Sequence, residues 1–405
     1  MIAISPETRR FICEHAHEDV RLLALQARKY PEVDMPMAIT QIAGKQTMAQ
    51  KVPSWHGIEG LLYPVHLSLE QCSSEISARY KSTLVQGHSL ADLTGGFGID
   101  CAFLSVHFKE VSYIERQEQL CDIAGHNFPL LGLNHIRVYN KDSVDYLKQM
   151  PVVDYIFIDP ARRNEHGGKT IAVSDCEPDV AALEELLLEK AHTVMIKLSP
   201  MLDLSLALQS LPHTAEVHIV SVQNECKELL LIVRRDKVDN VPIHCINFVH
   251  NEMQKFSFSQ HNESTAPCTY TNEVGIYLYE PNASLLKAGA FKSIASAYEL
   301  KKLHPNSHLY TSDTLQENFP GRCFEVTGCF SLKDKTLKEG ITKANIATRN
   351  FPLSPAEIRK RLKLGDGGDC YLFGTTLAEG KKVVVRGRKV TIYSSFANIG
   401  SQAGS

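Results

Sequence analysis

From Ser89 to Val233 the chain alternates short apolar runs with amphipathic stretches, and few architectures accept that rhythm. The runs are Leu90 to Leu93, Val111 to Ile114, His135 to Val138, Tyr155 to Ile158, Thr193 to Leu198, Val217 to Val222 and Leu229 to Val233. Helical patterns fill the gaps, as over Pro178 to Lys190 and Leu202 to Leu211. Strand–helix–strand repeats predict a mostly parallel sheet with helices on both faces. Only QNECKE separates the last two runs, too little for a crossover helix, so they are expected to form an antiparallel hairpin at one sheet edge.

The flanks read differently. Residues 1 to about 80 carry Phe11, Ile12, Val20, Leu22, Leu23 and Leu25 at helical spacing, broken by Pro31 and Pro36. A second helix is predicted over Ser68 to Tyr80. After a polar linker near Asp236 to Val241 the chain reads as α+β. Strands are expected at Ile243 to Val249, Gly275 to Tyr279, Phe324 to Phe330, Tyr371 to Thr375 and Lys382 to Tyr393. A helix begins at Ser354, with proline next and Glu357 at the third position. At 405 residues the chain is too long for one ordinary core, which makes roughly two to four domains the expectation.

Several classes of protein are disfavoured. No run of about 18 apolar residues offers a membrane span. Glu7, Glu14, Glu18 and Asp19 near the start are unlike a secretory signal, so a cytoplasmic location is expected. The 11 cysteines form no Cys-x-x-Cys pair, which argues against a cysteine zinc site or a disulfide framework, and no metal is expected. The net charge of −3 is unevenly spread: Lys333 to Lys389 holds 14 Lys and Arg against 6 Asp and Glu, a local net of +8. Such a segment suits a polyanionic partner, and equally a solvated surface.

Chemistry is concentrated at the ends of the apolar runs. The first leads through Asp92-Leu-Thr-Gly-Gly-Phe-Gly98 into a helix. Gly95, Gly96 and Gly98 allow a sharp bend and a close approach to a ligand, and the helix start offers free N–H groups. A dinucleotide fingerprint fails, because Cys101 stands where its third glycine belongs. Asp92 is better placed to receive the ammonium of an amino-acid moiety. Glu115, after the second run, can accept two hydrogen bonds from a ribose diol. Asp142 and Ser143 follow the third; Asp142 suits either a ligand contact or a helix cap. The fourth run ends in Asp159-Pro-Ala-Arg-Arg163, where Pro160 stiffens the backbone beyond the strand. Asp159 is the candidate to orient or deprotonate an acceptor. Arg162 and Arg163 suit phosphates or nearby carboxylates. The polar stretch Asn164 to Cys176 suits a substrate cover, and Lys197 ends the fifth run within reach of substrate. No cysteine directly follows Pro160 or Pro200, where a nucleophile would be placed. The predicted helix before the first strand carries Ser73, Ser74, Glu75 and Arg79 and can pack on the sheet edge.

As a set, Asp92 to Gly98, Glu115, Asp142 and Asp159 to Arg163 resemble a class I methyltransferase, with Thr94 standing where the usual first glycine is found. More narrowly, the chain resembles a bacterial methyltransferase family with a C-terminal THUMP-like domain, carried by Asn350 to Arg361 and by Gly365 to Phe373. The resemblance implies a Rossmann-like seven-stranded α/β sheet. Its domains would be a helical region over 1–82, a cofactor domain over 83–238, a ferredoxin-like α+β domain over 239–322 and a basic THUMP-like α+β domain over 323–405. It implies S-adenosylmethionine as cofactor, held by Asp92, Thr94, Gly95, Gly96, Phe97, Gly98, Glu115, Arg116, Asp142, Ser143 and Asp159. The predicted helix with Ser73, Ser74, Glu75 and Arg79 would close over that cofactor. Asp159, Pro160, Arg162 and Lys197 would carry the reaction. THUMP modules are RNA-associated, which implies a tRNA or rRNA substrate touching Arg162, Arg163, Arg359, Lys360, Arg361 and Lys363. Rival readings are methylation of a protein or small molecule, an RNA-binding protein without catalysis, and a dehydrogenase.

Overall fold

A computed structural model describes residues 4–162, 172–250 and 252–390. The described chain forms two compact units. One runs to Ala215 and includes Leu230–Val238; the other holds Glu216–Leu229 and the chain from Asp239 onward.

The first unit opens with α1 (Pro6–Glu14), α2 (Val20–Leu25) and α3 (Met35–Lys51), which bury Phe11, Leu23, Met35, Ala38 and Ile42 together. Pro36, expected as a breaker, sits in the first turn of α3, where its missing N–H removes no intrahelical bond. The helix predicted over Ser68 to Tyr80 is two helices, α4 (His66–Gln71) and α5 (Glu75–Ser82). Cys72 and Ser74 between them are extended, which turns Ser73 inward.

The sheet strands and helices then alternate: β1 (Ser89–Asp92), α6 (Ile99–Ser105), β2 (Glu110–Glu115), α7 (Glu118–Leu130), β3 (Ile136–Asn140), α8 (Ser143–Gln149) and β4 (Val153–Ile158). A small antiparallel pair comes next, β5 (Ala161–Arg162) with β6 (Cys176–Glu177), then α9 (Val180–Lys190), β7 (Ala191–Leu198), α10 (Leu204–Ser210), β8 (Thr214–Val222) and β9 (Glu225–Val233). Strands β8 and β9 are joined by Gln223 and Asn224, both at positive φ (50° and 62°), the geometry of a tight hairpin turn. The sheet does not stop there. Strand β10 (Pro242–Val249) pairs in parallel with β8, and β11 (Glu252–Ser259) pairs antiparallel with β10. The expected edge hairpin is therefore internal, because the open backbone groups of β8 accept a further strand. The full order is β11-β10-β8-β9-β7-β4-β1-β2-β3. Chain order reverses between β4 and β1, the point at which such sheets open a ligand crevice beyond the strand C-termini.

The second unit continues with α11 (Gln260–Thr265), β12 (Tyr277–Pro281), α12 (Ala283–Ala288), α13 (Phe291–Ala297), β13 (Lys301–Lys302), β14 (Tyr310–Ser312), β15 (Gly321–Phe330), β16 (Lys343–Arg349), α14 (Pro355–Leu362), β17 (Gly365–Thr376) and β18 (Lys382–Lys389). Its sheet runs β13-β14-β12-β15-β18-β17-β16. Adjacent residues Leu372 and Phe373 enter separate cores on the two faces, as strand alternation requires. Strand β16 was not expected: KANIATR has no apolar run, and most of its side chains are only half-buried. Glu280, 2% exposed, is held between Arg322 and Arg349 (Nη2···Oε1 2.9 Å). The capping box of α14 forms as predicted, with Ser354 and Glu357 exchanging bonds. Among the described residues no helix is long and apolar enough to cross a membrane.

Candidate active site

Strand β1 is buried between β2 and β4, so Asp92 at its C-terminal end is only 1% exposed. Its Oδ1 accepts the Thr94 N–H at 3.0 Å. Its Oδ2 is buried and has no hydrogen-bond partner among the described residues. Burial drives the Asp92 pKa well above the carboxylate range against the pull of the Thr94 bond, and Asp100, Asp159 and Glu115 push it further up. An ionised carboxylate in that position calls for a cation, which makes the orphaned oxygen a fit for the ammonium of an amino-acid moiety.

The turn after Asp92 is shaped by what lies beneath it. A Cβ on Gly95 would fall 2.1 Å from the Tyr113 ring, so only glycine lets the turn lie on that ring. The Tyr113 hydroxyl donates to the Gly96 carbonyl. Gly98 starts α6 at φ +87°, a left-handed backbone that favours glycine. Thr94 has a function a glycine would lack: its Oγ1 accepts the Asp159 N–H at 2.6 Å and ties the β1 turn to the end of β4. Phe97 is buried against Trp55 and Tyr63, with ring centroids 6.0 and 6.3 Å away.

Beyond β2 and β3 the carboxylates line up on the same sheet edge, because β1, β2 and β3 are parallel neighbours. Glu115 is buried, and its two oxygens accept the N–H groups of Gly96 (3.0 Å) and Gln117 (2.8 Å). Exposed Asp142 caps α8 through the N–H groups of Val144 and Asp145, so the cap reading holds for its Oδ1. Ser143 is half-buried at the first position of that helix. Arg116 is exposed and pairs with Glu177 at 3.0 Å.

The less legible part of the site is a polar network under the turn. Asp100, in the first turn of α6, accepts a bond from Ser73 at 2.7 Å and faces the ammonium groups of Lys81 (3.2 Å) and Lys197 (3.3 Å). Lys197 also meets Asp159 at 2.6 Å and Ser73 at 3.2 Å. Burial pushes the Asp100 pKa up, but Lys81, Lys197 and the Ser73 bond prevail and hold it at about 2. Lys81 is completely buried, whereas the Asp159 side chain keeps 37% of its surface open. The chain thus runs from a closed interior to an accessible carboxylate. Lys81 and Asp100 were not singled out from sequence: a lysine near a helix C-terminus reads as solvent-facing, and an aspartate in a first turn reads as a dipole contact. Glu75 bonds the Ser54 N–H and pairs with Arg79, whose guanidinium lies over Phe103 at 5.1 Å; neither joins the network.

Pro160 is buried after Asp159, and Arg162 lies on β5. Arg163 and positions 164–171 of the expected cover lie outside the described residues, as does Tyr393. In the second unit Lys360, Arg361 and Lys363 are exposed, while Arg359 pairs with Asp366. Lys363 lines a surface cleft together with Lys335 and Lys338.

Seven strands in the order β3-β2-β1-β4-β7-β9-β8, with a buried acid and a glycine turn at the reversal point, define the class I methyltransferase fold. Family profiles match residues 277–320 as a ferredoxin-like domain and residues 321–389 as THUMP domain-like. A solved structure from Porphyromonas gingivalis W83, described as a "putative methyltransferase", is 39% identical, covers 96% of this chain and 100% of its own, and superposes with a TM-score of 0.86. The chain belongs to that bacterial methyltransferase family with a C-terminal THUMP-like domain. SMU.1697c of Streptococcus mutans, a "putative methyltransferase" solved with SAH, shows 14% identity over 39% of this chain and 95% of its own, with a TM-score of 0.29. TrmK of M. capricolum, also solved with SAH, shows 13% identity over 41% and 70%, with a TM-score of 0.31. No curated protein matches the chain.

Proposed function

We propose that this protein is an S-adenosylmethionine-dependent methyltransferase acting on structured RNA. The observation that carries the cofactor assignment is the buried Oδ2 of Asp92, without a partner among the described residues, beside a turn that admits no side chain at Gly95. Asp92 would take the amino group of the cofactor, Glu115 the ribose, and Asp142 with Ser143 the adenine edge. The backbone from Thr94 to Gly98, with Phe97 behind it, would form the cradle, and exposed Arg116 its rim. When bound, the sulfonium supplies an activated methyl group, so the protein's own task is alignment.

That alignment falls to Asp159. Its backbone is fixed through Thr94 and its carboxylate through Lys197, while its surface stays open to an acceptor. A carboxylate tied to a cation is suited to accept a hydrogen bond from an acceptor N–H or O–H and so point its lone pair. Pro160 stiffens the chain after it, and Arg162 and Arg163 come next as candidate phosphate contacts. The RNA assignment rests on the THUMP domain-like match and on Lys360, Arg361, Lys363 and the cleft lysines, a concentration of exposed cations in one domain.

Two measurements test the proposal. Calorimetry on the full chain should show adenosylhomocysteine binding and no nicotinamide dinucleotide binding; the reverse would overturn the cofactor assignment. Mass spectrometry of total RNA nucleosides, from cells with and without the gene, should reveal one missing methylated nucleoside. An unchanged RNA profile with a missing methyl group on a protein or small molecule would move the substrate to those classes.

A further inference from the structure

We infer that Glu216, His218 and His244 form a binding site for one divalent transition-metal ion of the zinc class. Glu216 and His218 lie two residues apart on β8 and therefore on one face of the sheet. His244 stands directly opposite His218 on the parallel neighbour β10. The pairing brings the rings to 4.7 Å between centroids and the Glu216 carboxylate to 3.6 Å from His218 Nε2. One ligand atom from each of the three residues lies within 4.8 Å of the others.

The donor set suits the ion. Two neutral imidazoles and one carboxylate match zinc and its borderline neighbours, and three protein ligands leave a fourth position for water. Zinc bonds of about 2.0–2.2 Å place tetrahedral ligands roughly 3.3 Å apart, so only a modest inward rotation is required. Glu216 is 31% exposed and His218 6%, so the rotation falls to the glutamate side chain rather than to the buried ring. His244 is already oriented as metal-bound histidines are: its Nδ1 meets the Ser257 hydroxyl of β11 at 2.8 Å, leaving Nε2 for the ion. The Lys255 charge opposes a cation, and the Glu216 carboxylate offsets it. The cysteine pattern gives no sign of this site, because its ligands are a glutamate and two histidines brought together from β8 and β10, which are separated in sequence by β9.

The test uses the full-length protein, stripped with a chelator and titrated with Co²⁺. Because the chain has 11 cysteines, the visible spectrum separates the alternatives. The expected result is one equivalent bound with the visible d–d bands of four-coordinate Co²⁺, no thiolate charge-transfer band, and a melting temperature that rises with Co²⁺. His244→Gln and Glu216→Gln, both at partly exposed positions, should each weaken binding at least about tenfold, and Ser257→Ala by about tenfold through loss of orientation. Circular dichroism and metal-free melting of each variant check that it is folded. Failure of the wild type to bind, a thiolate spectrum, or a folded His244→Gln variant that binds as tightly as wild type would each overturn the site.

Discussion

Replacing Asp92 with asparagine separates a ligand-receiving carboxylate from a structural one, because the amide keeps an acceptor for the Thr94 N–H and removes only the charge. A hydrogen bond to a charged group contributes about 1.5–3 kcal/mol, so Asp92→Asn should weaken adenosylhomocysteine binding by about 10- to 150-fold. The variant should also change how stability depends on pH. Burial raises the folded pKa of Asp92 far above its unfolded value of about 3.9, so the native state holds the proton more tightly than the unfolded chain does. Stability contributed by that proton is full below the unfolded pKa and is lost as pH rises towards the folded one; Asp92→Asn should remove that slope. An incoming ammonium favours the ionised carboxylate, so wild-type binding should release a proton near the raised pKa. Calorimetry in two buffers of different ionisation enthalpy measures both the affinity and the proton release. Affinity within about threefold of wild type, with unchanged proton release, would refute the reasoning about the orphaned oxygen.

Three other perturbations test the surrounding architecture. Lys81→Met leaves Asp100 with less compensation in the interior and should cost about 3–5 kcal/mol in urea unfolding, with recovery when Asp100→Asn is added. Because the Asp100 pKa is held at about 2, its contribution should be full above the unfolded value of about 3.9 and disappear as pH falls from there to 2, a limb that acid titration of Lys81→Met should show flattened. Thr94→Val keeps the shape but removes the acceptor for the Asp159 N–H, and should cost about 1–3 kcal/mol of stability by the same unfolding assay. Gly95→Ala drives a methyl into the Tyr113 ring and should cost at least about 1–3 kcal/mol, with partial relief by Tyr113→Ala; a neutral Gly95→Ala would show that the turn is not seated on that ring.

Local pattern alone marked the sheet strands from Leu90 to Val233, the glycine turn, the carboxylate after each of the first strands and the capped helix at Ser354. Each is written in neighbouring residues: apolar runs, Cβ-free positions and cap spacings act within a few residues of themselves. Tertiary pairing decided the rest. The break at Cys72 to Ser74 sets Ser73 against Asp100, 27 residues away, and Lys197 reaches Asp159 across 38 residues. Lys81 is buried there because the Asp100 carboxylate and the Ser73 hydroxyl meet its ammonium, which no helical periodicity can announce. The continuation of the sheet through β10 and β11 depends on open backbone groups on β8, and those carry no residue signature. Charge networks and strand neighbours are properties of distance in space, and a linear pattern records only distance along the chain.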